Sequence, residues 1–231
     1  MKSMFKVLSL AAILTAAAAP VAHADTLGGP GVYFGTGNPD GNFTVATSGP
    51  LQLGLKAITR GVAPPIVPSG IDYTYSPGHG ANPVLSTWNF VFSVNTGSNT
   101  LGDYTYQIHI TDVTTGGTAT FDPTSLLDNG QVDGLNVLCT HNAACTYDPS
   151  ATGIQNAENL GFGFLSSQLG GFNPNAADTY TITLSATAVA GGAVVNDTIN
   201  VVPTPEPSSL IFLGTGLVSG IGTMLRRRRI A

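Results

Sequence analysis

The chain has 231 residues and a formal net charge of −5. Only 9% of it is charged, against about 25% in an ordinary soluble domain, so its surface must be built mainly from Thr, Ser, Asn and Gly. Six of the eight bases lie near the two ends; between positions 25 and 197 only Lys56 and Arg60 face twelve acids, a charge of −10 that repels nucleic acid phosphates and excludes a nucleic-acid partner.

Residues 1–24 have the three parts of a secretory signal. Lys2 and Lys6 give a positive start, an Ala-rich apolar run follows, and Ala22-His23-Ala24 places small residues where a signal peptidase reads them, with the cut before Asp25. The apolar run over 7–19 would measure roughly 20 Å as a helix, short of the ~30 Å hydrocarbon core, so cleavage is expected rather than anchoring.

Residues 25–202 are expected to form one all-β domain, an antiparallel β-sandwich of immunoglobulin-like or jelly-roll type. Four stretches alternate with period two, the pattern of half-buried strands. Leu51, Leu53, Leu55 and Ala57 share one face, and Trp88, Phe90, Phe92 and Val94 another. Tyr104, Tyr106, Ile108 and Ile110 oppose Thr105, Gln107, His109 and Thr111. Tyr180, Ile182, Leu184 and Ala186 oppose Thr181, Thr183, Ser185 and Thr187. Residues 95–100, Asn-Thr-Gly-Ser-Asn-Thr, are expected as a hairpin loop and 155–160 as a short helical turn, with a last strand over 197–202.

Cys139 and Cys145 read as a local disulfide, as expected in an oxidising compartment. A zinc site through Cys139, His141 and Cys145 is the alternative and lacks a fourth local ligand. No hydrolase elbow, zinc-protease helix or phosphate loop is present, so no catalytic residue, metal or cofactor is assigned. His79 falls in a Gly-rich loop and His109 on a polar strand face. Two acidic loops, 38–42 and Asp128 to Asp133, could offer oxygens to calcium, although Asp and Asn are equally expected there as turn formers. A carboxylate pair for glycoside hydrolysis is defined by distance in space, which the sequence does not give.

Residues 203–231 form a tail in three parts. Pro205-Glu206-Pro207 lies in an extended linker, 208–225 is an uncharged Gly-rich apolar helix of single-span type, and Arg226, Arg227, Arg228 and Arg229 stop it on the cytoplasmic side. This arrangement resembles the PEP-CTERM sorting signal of Gram-negative bacteria, also known as the ice-binding-protein C-terminal domain. The resemblance implies recognition by exosortase, processing near Pro205-Glu206-Pro207, a transient inner-membrane stage and delivery to the cell surface or extracellular space, often beside exopolysaccharide. The segments 88–112 and 172–185 look similar to sandwich domains that recur with this tail. No fixed-period Thr repeat accompanies them, so the tail's alternative name carries no ice-binding expectation. Together these features lead to an exported, non-catalytic structural or adhesive protein of the surface or matrix. A carbohydrate- or calcium-dependent binding module is the alternative, with a secreted hydrolase behind it.

Overall fold

A computed structural model describes residues 42–60, 66, 68–134, 136–139 and 145–204. The signal segment with Ala22 and Ala24, the sorting motif Pro205-Glu206-Pro207, the apolar stretch 208–225 and the four arginines lie outside the described residues, as does His141.

Eleven strands are found among the described residues: β1 (Thr44–Ser48), β2 (Leu51–Thr59), β3 (Asp72–Tyr75), β4 (Trp88–Asn95), β5 (Tyr104–Asp112), β6 (Thr118–Phe121), β7 (Gly130–Asp133), β8 (Asn136–Cys139), β9 (Gly153–Glu158), β10 (Tyr180–Ala188) and β11 (Val195–Pro203). Among the described residues the one α-helix, α1 (Gly163–Ser166), is a single turn. The strands form a six-stranded sheet in the order β1-β2-β4-β9-β7-β8 and a five-stranded sheet in the order β3-β11-β10-β5-β6. One hydrophobic core lies between them, fed by both: Leu53, Leu55, Phe90 and Phe92 from the first, Ile108, Ile182, Leu184 and Ile199 from the second. The all-β sandwich is therefore the architecture, and the four alternating faces read from the sequence are its interior.

The pairing departs from the expected pattern in four places. β3 runs parallel to β11, so the sheets are not wholly antiparallel. Residues 95–100 do not close a hairpin: β4 belongs to one sheet and β5 to the other, so the connection crosses the sandwich. A two-strand turn and a between-sheet arch use the same Gly and Asn chemistry, which is why local sequence does not separate them. Residues 155–158 belong to β9 rather than to a helical turn. Their polar side chains mask the alternation, because Asn156 and Glu158 face inward beside Phe92 and Phe90. Finally, β2 and β4 are buried on both faces, not half-buried. Phe43, Ile58 and Val91 form a second cluster on the outer side of the six-stranded sheet, where the Lys56 ammonium sits 4.2 Å from the centre of the Phe43 ring.

Trp88, the single tryptophan of the chain, is fully buried. Its ring lies 5.4 Å from that of Tyr75 and 5.9 Å from that of Tyr180, which ties the six-stranded sheet to two strands of the five-stranded one. The loop after β9 is fixed by Asn159, whose amide donates to the carbonyls of Ser86 and Trp88 and accepts from the amides of Ser86 and Gly161.

Candidate functional site

The outer face of the five-stranded sheet is set by the odd-even register of its strands. Every inward Ile, Leu or Tyr of β5 and β10 alternates with an outward Thr, Ser, Gln or His. Cross-strand pairing then aligns these into rows. One row runs Thr198, Thr183, His109, Thr120 and a second Asp72, Asn200, Thr181, Thr111, Thr118. Neighbours stand about 4.8 Å apart across strands and about 7 Å apart along them. The rows are hydrogen-bonded internally: Thr181 donates to Asn200 Oδ1 at 3.0 Å, Asn200 donates to Asp72 at 2.8 Å, and the Thr183 and Thr198 hydroxyls meet at 2.9 Å. His109 joins Thr120 through Nδ1 at 2.8 Å and Thr111 through Nε2 at 3.2 Å. These two rows hold no Lys, no Arg and no large apolar side chain, so they offer a ligand hydroxyl, amide and imidazole hydrogen bonds, with the Asp72 carboxylate at one edge.

A shallow open depression of about 490 Å³ lies at one end of the same sheet, lined by Asn99, Gly102, Asp103, Tyr104 and residues 188–190. The Tyr104 hydroxyl accepts from Asn99 at 2.7 Å, and Asp103 caps the short helical turn before β5 by accepting from Thr100. One carboxylate, one phenol and one amide there fit a small neutral polar ligand.

Several acids hold turns. Asp112 accepts from the amides of Thr114 and Thr115, Asp122 from Thr124, and Asp148 from Ser150. The hydrogen bonds from Ser150 hold the Asp148 carboxyl below its ordinary value. His79 is exposed and bonds the carbonyl of Gly80. Cys139 and Cys145 form a disulfide, with Cα atoms 6.2 Å apart. Of the acidic segment from Asp128 to Asp133, Asp128 lies in the turn before β7 and Asp133 at the far end of that strand, so the two are not gathered in one loop. Of the 38–42 loop only Asn42 is described.

Asp128 is instead brought to β9. It accepts from the Asn156 amide at 3.0 Å, and it lies near enough to Glu158 to raise that acid. Glu158 is 3% exposed, and desolvation first, then the Asp128 charge, push its carboxyl up to about 8. The next acid in the interior is Asp197 on β11, pushed up to about 7 by burial against the pull of hydrogen bonds from Thr44 and the Leu55 and Thr198 backbone. Neither acid was singled out from the sequence. A Glu and an Asp in phase with inward apolar positions were the available signal.

No family model, no curated protein and no solved structure matches the chain. Among the described residues, no helix is long and apolar enough to cross a membrane.

Proposed function

We propose that the chain is an exported, non-catalytic structural or adhesive component of the cell surface or of an exopolysaccharide biofilm matrix. On this reading signal peptidase cuts after Ala24, exosortase handles the tail at Pro205-Glu206-Pro207, and the 208–225 helix is a transient membrane handle stopped by Arg226 to Arg229. The sandwich is of immunoglobulin-like or jelly-roll type. The observation that carries the reading is the hydroxyl and amide array on the outer face of the five-stranded sheet. Together with a domain charge of −10 it favours a neutral polysaccharide over an anionic one. Binding would be weak per hydrogen bond and would accumulate along a repeating polymer.

Cosedimentation of the protein with insoluble neutral and polyanionic polysaccharides tests the array. Retention on the neutral polymer, lost in Thr183→Glu and Thr111→Glu, is expected; equal retention of both variants would remove the array from the function. Mass spectrometry of the mature protein from wild-type and exosortase-deleted cells tests the tail. A wild-type C-terminus still carrying Arg226 to Arg229 would sink the sorting assignment.

The depression beside Tyr104 favours a second reading, a carbohydrate-binding module that takes a chain end rather than a polymer surface. Its mark would be saccharide binding sensitive to Tyr104→Ala and indifferent to Thr183→Glu.

A further inference from the structure

We infer that Asp128, Glu158 and Asn129 form a binding site for a calcium-class divalent cation where the loop before β7 meets β9. The reasoning starts from Glu158. It lies on the inward face of β9, opposite Phe90, at 3% exposure. Its carboxylate has no hydrogen-bond partner among the described residues, and Lys56 projects from the opposite face of the same sheet. Burying a carboxylate without a donor is costly, and the fold adds to the cost by placing Asp128 nearby.

A second, independent observation points to the same place. Asn129 is 1% exposed and spends its amide hydrogens on the carbonyls of Pro123, at 2.6 Å, and Leu126, at 3.0 Å. That pairing fixes which end of the amide is oxygen. The Oδ1 left over is buried and unpartnered. Asn129 directly precedes Gly130, which pairs with Gln155, so its strand delivers it beside Asn156. Asn156 in turn holds Asp128 with its amide.

Asn129 Oδ1 is thus a buried acceptor without a partner, set close to the Asp128 and Glu158 carboxylates. Two carboxylates and an amide oxygen form a hard, all-oxygen set, which suits calcium and not zinc or copper. Exposed Asp128 gives the ion a path from solvent, and waters would complete the six to eight oxygens that calcium takes. The site does not rest on polysaccharide binding, because the hydroxyl array lies on the other sheet.

Calorimetric titration of the full chain with calcium chloride, after treatment with chelator, tests the site alongside thermal melting. One saturable site is expected, with Tm rising by about 5–10 °C at a calcium concentration a hundredfold above Kd. Glu158→Gln and Asp128→Asn should each abolish both effects, whereas Asp133→Asn, at the far end of β7, should keep them. Asp128 is exposed, so its variant keeps the test valid if the Glu158 variant fails to fold. A wild-type Tm equal in calcium and in chelator overturns the site, and so does calcium binding that survives both substitutions. A larger shift with magnesium than with calcium overturns the choice of cation.

Discussion

Thr44 Oγ1 lies 3.0 Å from Asp197 Oδ2, joining the first strand of one sheet to the last strand of the other across 153 positions of sequence. The same hydroxyl is 3.0 Å from the carbonyl of Leu55, and the Tyr73 hydroxyl donates to the carbonyl of Asn42 beside it. Burial, and next the Asp197 charge, raise the Tyr73 phenol far above its ordinary value, so it stays a donor at all ordinary pH.

Asp197 makes stability fall as pH rises. Its folded pKa, about 7, is above the ordinary 3.8, so the folded protein holds a proton that the unfolded chain has released. The stabilising contribution is complete below about 3.8 and is lost as pH climbs to about 7, amounting to roughly 2–4 kcal/mol in that window. Melts in chelator should give a higher Tm at pH 5 than at pH 8. Asp197→Asn should flatten that slope and be more stable than wild type at pH 8. Glu158 adds a slope of the same sign, so the flattening will be partial.

Trp88→Ala should cost about 3–5 kcal/mol, since it empties the space between Tyr75 and Tyr180 in a fully buried position. Trp88→Phe should cost much less. It keeps an aromatic ring and removes an indole N–H that is buried without an acceptor. Urea titrations of the two variants measure the difference. The native protein should emit in the blue and shift red on unfolding, with Trp88 the sole reporter.

Gly161→Ala should destabilise by about 2 kcal/mol or more, because an added Cβ would stand 1.9 Å from the carbonyl oxygen of Val84. The obstacle is backbone on both sides, so no rotamer change relieves it. Thermal melting of this variant beside a control at Gly163, where no atom lies within 4 Å of the built Cβ, separates the clash from helix propensity.

Removing the disulfide through Cys139→Ser and Cys145→Ser should cost about 2 kcal/mol, as a loop closed over a separation of six residues restricts the unfolded chain only modestly. A larger loss of stability would mean that the bridge also fixes the position of β8, whose Val137 and Leu138 are exposed at the sheet edge.

The sandwich was legible wherever inward residues are apolar. Tyr180 through Ala186 alternates in the sequence as it does in β10, and the outward threonines fall where the pattern places them. β9 was not legible, because Asn156 and Glu158 occupy core positions and polarity there reads as surface. The same inversion hid the carboxylate cluster. Asp128 and Glu158 meet only through the pairing of β7 with β9, a contact that no local spacing encodes. Asp128 and Asp133 looked close in sequence, and an extended strand carries them apart. The link between β4 and β5 was misread for a related reason: loop chemistry reports that the chain turns, and only the packed core reports which sheet it turns into.

β11 leads straight toward the Pro-Glu-Pro linker while paired on both sides, to β10 and to β3, with Thr204 adding a last bond to the carbonyl of Tyr75 at 2.7 Å. A pull along this strand from its C-terminal end therefore loads two ladders of hydrogen bonds in shear at once, instead of peeling them open one by one. In single-molecule extension from that end the sandwich should yield in one abrupt high-force rupture.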